Sequence, residues 1–140
     1  MPTSPRNDQA IGVFDSGIGG LTVAASLRRL LPHENILYIG DTARVPYGGK
    51  SRETVERYSI EIGNMLLAGG AKMIVVACNT ASALGVPRMK EVFEVPVVGV
   101  VVPGAKAAVD STKNKTSGVI GTRATIASGA YEKAILALEP

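Results

Sequence analysis

The stretch Met73-Ile74-Val75-Val76-Ala77-Cys78-Asn79-Thr80 decides the fold. Its apolar run reads as a strand buried on both faces, the mark of a parallel sheet covered by helices. The polar pair Asn79-Thr80 ends that strand just before a helix. The same strand-to-helix unit recurs on either side. Residues 11–14 read as a strand, 15–20 as a turn, and 21–31 as a helix stopped by Pro32. Residues 36–39 form a second strand, followed by a Pro- and Gly-rich loop over 42–50. Ser51 caps a long helix that runs to residue 68 and ends at Gly69-Gly70. Beyond the third strand, a helix from residue 80 breaks near Gly85-Val86-Pro87 and resumes to 93. Residues 97–102 and 117–120 read as further strands, and 103–109 and 124–138 as helices. The expected fold class is therefore α/β, a parallel sheet flanked by helices. A faint repeat, Gly12-Val13-Phe14-Asp15-Ser16 against Gly118-Val119-Ile120-Gly121-Thr122, suggests two related halves.

Bulk composition narrows the class. The chain has 140 residues, 46% apolar and 19% charged, with a net charge of +3. That is enough for one domain with a sizeable core. The basic residues are scattered and do not alternate with aromatics, which argues against a nucleic-acid surface. No apolar run approaches a membrane span, and residues 1–9 lack the apolar core of a signal peptide, reading instead as a disordered tail. A lone cysteine excludes an internal disulfide and fits a reducing compartment, so the cytosol is expected. One cysteine and one histidine, His33, also cannot assemble a zinc site.

In open parallel sheets, ligands bind at the carboxyl ends of the strands. Three polar clusters fall there: Asp15-Ser16-Gly17, the loop around Pro46-Tyr47-Gly48, and Cys78-Asn79-Thr80. The glycine turn of residues 15–20 suits close approach to an anion. Gly17 and Gly19 begin a dinucleotide fingerprint, and Asp41 follows the second strand where a ribose-binding acid would stand. Thr22, however, replaces the third glycine. Asp15 suits an ammonium group and Ser16 a carboxylate; together they describe an amino acid. Backbone amides near Gly48 can hold a carboxylate. Cys78 is either a small buried hydrophobe or a reactive thiol. The helix that follows favours negative charge at its start, while the lone His33 reads as a solvated loop residue and not as a partner base.

Phe14-Asp15-Ser16-Gly17-Ile18-Gly19-Gly20-Leu21, Tyr38-Ile39-Gly40-Asp41, Val45-Pro46-Tyr47-Gly48 and Ala77-Cys78-Asn79-Thr80-Ala81, in that order, resemble the bacterial glutamate racemases, members of the cofactor-independent aspartate/glutamate racemase group. Residues 97–140 resemble the continuation. The likeness covers nearly the whole chain, but only about the first half of a typical member.

The resemblance implies interconversion of L- and D-glutamate without cofactor or metal, with the D-isomer feeding peptidoglycan synthesis in the cell wall. It implies a cytoplasmic protein, often a homodimer, whose partner is small-molecule glutamate and neither nucleic acid nor membrane. Substrate lies in a cleft between two α/β domains, with one cysteine on each face of the α-carbon. By the match, Cys78 is one of these and Asp15 assists it. Asp15, Ser16, Tyr47, Gly48, Asn79 and Thr80 are substrate contacts, and Thr122 lines the cleft from the second domain. The family's second cysteine lies in a Cys-Thr-His motif that this sequence does not contain.

The expected organisation is a tail over 1–9, a first α/β domain over 10–98, and the start of a second over 99–140. On this reading the chain is an N-terminal portion and is inactive alone. An aspartate racemase, a non-catalytic amino-acid-binding domain and a dinucleotide-binding domain are the alternatives.

Overall fold

A computed structural model of the chain describes residues 9–139. The tail expected over 1–9 therefore lies, apart from Gln9, outside the described residues. Four strands form one sheet: β1 (Ala10–Asp15), β2 (Asn35–Gly40), β3 (Ala71–Val76) and β4 (Val97–Gly99). They lie in the order β2-β1-β3-β4, and every pair is parallel. β3 is central, beside β1. The carboxyl ends of β1 and β3 therefore open side by side.

Each central strand alternates between two cores, as the two-residue side-chain period requires. Phe14, Ile74 and Val76 point to one face with Leu66 and Met89. That face is covered by α2 (Arg52–Ala68), α3 (Asn79–Leu84) and α4 (Val86–Val92). Ile11, Val13 and Val75 point to the other, against Val23, Ala24 and Leu27 of α1 (Leu21–Leu30). Ser51 caps α2 as expected, its Oγ accepting the Thr54 N–H at 3.2 Å. The break between α3 and α4 falls at Gly85, just before Pro87, which has no N–H to continue the first helix.

The structure corrects the reading of residues 97–138 in three places. First, the fourth strand stops at Gly99, and α5 (Val101–Ser111) starts before Pro103. Ser82 explains the early turn. Its Oγ accepts the Val100 N–H at 3.0 Å while donating to the Val76 carbonyl at 2.9 Å, drawing the chain off the sheet. Pro103 then sits in the first turn of α5, where a missing N–H costs nothing.

Second, residues 117–120 are not a strand. They pair with none of the described strands, and Ile120 is 98% exposed. A β-rich sequence becomes a strand only where a ladder partner and a packing surface meet it. The faint repeat thus matches a strand to an unpaired segment. Third, the single helix expected over 124–138 is two, α6 (Arg123–Ala127) and α7 (Ala130–Leu138). Gly129, at φ +64°, turns the chain between them.

Candidate functional site

Cys78 lies two residues beyond β3, in extended backbone at φ −109° and ψ 128°, and caps α3. Its Sγ accepts the Ala81 N–H at 3.4 Å. The same sulfur donates to Ser16 Oγ at 3.4 Å, across to the turn that follows β1. Cys78 is 8% exposed and Asp15 6%. Asp15 closes its own turn: Oδ2 accepts the Gly20 N–H at 2.8 Å. Gly20 is required there, because a Cβ would stand 2.6 Å from the Asp15 Cβ and 3.0 Å from that of Ala77. Tyr38 supports the turn from β2, donating to the Gly17 carbonyl at 3.2 Å. Burial, and then the nearby Asp15 charge, hold the Tyr38 hydroxyl above the ordinary tyrosine pKa.

These bonds dispose of the dinucleotide alternative. The Gly20 amide, which would face a pyrophosphate, is occupied by the carboxylate of Asp15. Asp41, the candidate ribose acid, is buried beneath the loop that follows β2. Its Oδ2 accepts from Tyr47 Oη at 2.5 Å and from Arg44 Nε at 2.6 Å. Arg44 reaches on to Glu61 of α2 and stacks 3.9 Å over the Tyr58 ring.

Tyr47 is 1% exposed and packs between Phe14 and Tyr58. Burial, and then the hydrogen bond to Asp41, push its hydroxyl pKa far up. Tyr47 therefore borders the cleft with its hydroxyl committed to Asp41, and what it fixes is the position of the loop carrying Gly48. The Gly48 backbone lies against Thr122, where a Cβ would come within 2.6 Å of the Thr122 Cβ.

Thr122 is the N-cap of α6, accepting the Thr125 N–H at 3.2 Å. Its hydroxyl stands 2.8 Å from that of Thr80 and 2.9 Å from that of Thr125, and Thr80 and Thr125 are 3.2 Å apart. The three hydroxyls form a ring in which each can donate once and accept once. Asn79 Oδ1 accepts from Tyr131 Oη of α7 at 2.5 Å.

All of the expected site residues border one open cleft of about 530 Å³: Asp15, Ser16, Tyr47, Gly48, Cys78, Asn79, Thr80 and Thr122. Sequence reasoning missed Tyr131, which lines the same cleft, and Thr125, which supports it. Thr125 carried no signal, since a capping box has Glu or Gln at that position and not Thr. Tyr131 carried none, because its direction depends on the break at Gly129. His33 is exposed in the loop before β2, as expected, and does not border the cleft.

Residues 20–139 match the Asp/Glu/Hydantoin racemase family. The glutamate racemase of Corynebacterium kroppenstedtii is 55% identical over 130 residues, covering 93% of this chain and 45% of that protein. Among solved structures, glutamate racemase isoform RacE1 from Bacillus anthracis superposes with a TM-score of 0.92 at 48% identity. It covers 96% of this chain and 50% of its own. Glutamate racemase from Francisella tularensis, solved in complex with D-glutamate, gives a TM-score of 0.87 at 40% identity over the same shares. The chain thus spans about half the length of the curated relatives it matches. It belongs to the Asp/Glu/Hydantoin racemase family.

Proposed function

We propose that the protein to which this chain belongs interconverts L- and D-glutamate by proton transfer at the α-carbon, with Cys78 as one of two bases. The observation that carries this is the setting of the Cys78 sulfur. It borders the cleft between two hydrogen-bonding groups, the Ala81 amide and the Ser16 hydroxyl, both able to donate to a sulfur anion. The thiolate takes the α-proton, leaving a planar carbanion. A protonated thiol on the opposite face then delivers its own proton, inverting the centre. Two opposed groups are needed because one base tends to return the proton to the face it came from.

Asp15, Ser16, Gly48, Asn79 and Thr80 line the cleft in which the amino acid would sit. Asp15 assists Cys78 and meets the ammonium group. Backbone amides near Gly48 and the polar groups of Asn79 and Thr80 suit carboxylates. On this reading residues 10–98 are the first domain and 99–140 the start of a second. We place the working protein in the cytoplasm as a homodimer, supplying D-glutamate for peptidoglycan.

The test is to incubate the whole protein with D-glutamate and follow L-glutamate by polarimetry, beside a thermal-shift panel. Sustained L-glutamate formation, and a higher melting temperature with D-glutamate than with L-aspartate or NAD, are expected. Stabilisation by L-aspartate with aspartate turnover would make it an aspartate racemase; stabilisation without turnover, a binding domain. The 140-residue chain holds one cysteine and is expected not to racemise alone. Turnover by the purified chain would overturn the two-cysteine account.

A further inference from the structure

Tyr131 lines the same cleft as Cys78, on the first turn of α7, and its hydroxyl reaches Asn79 at the start of α3. An asparagine amide can face either way: its oxygen accepts and its nitrogen donates twice. Here Tyr131 Oη donates to Oδ1 at 2.5 Å. That bond uses the acceptor end of the amide and leaves the two Nδ2 hydrogens without a protein acceptor among the described residues. A side chain on the cleft lining that offers two free N–H donors against one remaining lone pair on Oδ1 suits a carboxylate better than an ammonium group.

We infer that Tyr131 is a positioning residue that sets the Asn79 amide to read a substrate carboxylate. The inference rests on the proposed glutamate chemistry and adds the group that fixes one end of the substrate. A second feature of the fold supports it. Gly104 of α5 faces Tyr131, and a Cβ at that position would lie 3.0 Å from Oη and 3.1 Å from Cε1. The absent side chain leaves the hydroxyl room to reach Asn79. Tyr131 is half-buried, and burial raises its hydroxyl pKa, so the donor proton is retained at neutral pH. Without the hydroxyl, the amide is free to turn and present Oδ1 to the substrate, an acceptor against a carboxylate.

The experiment uses the whole protein and measures KM and kcat for D-glutamate, with dissociation constants by calorimetry. Tyr131→Phe keeps the ring and removes the hydroxyl. It is expected to raise both KM and the dissociation constant about three- to tenfold, the scale of one lost hydrogen bond, with kcat within about twofold. Gly104→Ala is expected to shift KM in the same direction by less. In an Asn79→Ala background, Tyr131→Phe is expected to leave KM unchanged, because the amide it orients is gone.

An unchanged KM and dissociation constant in Tyr131→Phe would overturn the inference, as would an equal rise in both backgrounds. Either result leaves the racemase reading intact if the unmodified protein turns over. An unmodified protein that neither binds nor racemises glutamate overturns both readings.

Discussion

The wall of the cleft made by the strand ends and the wall made by residues 122–131 hold their side chains by different means. Asp15 closes β1, which is paired on both sides, and Cys78 follows β3, which is also paired on both sides. Beneath them lie Phe14, Val76 and Tyr47, all nearly inaccessible to solvent. The opposite wall begins in residues 117–122, which join no ladder among the described residues; Ala124, Ala130 and Tyr131 pack only at the edge of the core, and hydroxyls tie the wall to the strand ends: the Thr80–Thr122–Thr125 ring and the Tyr131–Asn79 bond. A side chain backed by a ladder and a core is held by many interactions at once. One at the edge of the core, oriented by a few hydroxyl bonds, is more easily redirected. On the proposed reading, Cys78 stands on the better-braced wall, as proton transfer, which tolerates little misplacement, requires.

The comparison breaks first if the strand-end wall is less rigid than this. Phe14→Ala opens a cavity beside Tyr47 and is expected to cost about 3–5 kcal/mol in urea unfolding. A cost below about 1 kcal/mol would mean that the core does not brace this wall. Gly20→Ala drives a methyl group onto Asp15 and Ala77. It is expected to destabilise the chain by about 1–3 kcal/mol, read by the same measurement.

A pH titration sharpens the role of Tyr47. Its folded pKa lies above the unfolded value of about 10, so its contribution is fully present below that pH. Above it, the unfolded chain loses a proton that the folded chain keeps, and stability falls by about 1.4 kcal/mol per pH unit for each such group. Tyr38 and Tyr131 are raised in the same direction. Tyr47→Phe is therefore expected to reduce the alkaline slope of stability without abolishing it. An unchanged slope would mean that the Tyr47–Asp41 bond does not persist in solution.

The smallest effect is expected on the second wall's approach. Ile120 is almost fully exposed, and Ile120→Lys should change the stability of this chain by no more than about 0.5 kcal/mol. A large loss would show that residues 117–120 pack in a way this structure does not have.

Legibility in the sequence follows the same division. The first wall was readable because its signals are local. An apolar run names β3, the glycine turn names the start of α1, and Ser51 names the start of α2. Parallel topology then brings Asp15, Gly48 and Cys78 to one edge without further information. The second wall was misread because its signals are not local. Residues 117–120 have the composition of a strand, and only the absence of a neighbouring strand among the described residues keeps them from becoming one. The pivot at Gly129 decides where Tyr131 points, and helical periodicity passes straight through it. Tyr47 was legible as part of the site, but its hydroxyl faces Asp41 because of a buried bond that no spacing rule announces.

The central claim is that Cys78 moves the α-proton, and isotope exchange tests it most directly. The whole protein and its Cys78→Ser variant are incubated with D- and L-glutamate in deuterium oxide, and α-hydrogen loss is followed by proton magnetic resonance. The unmodified protein should exchange and invert both enantiomers. Cys78→Ser should lose racemisation by at least about a hundredfold, the scale of a positioned acid–base group, while keeping its fold and its affinity for D-glutamate. A variant that exchanges and racemises as fast as the unmodified protein would make Cys78 a packing residue and contradict the account.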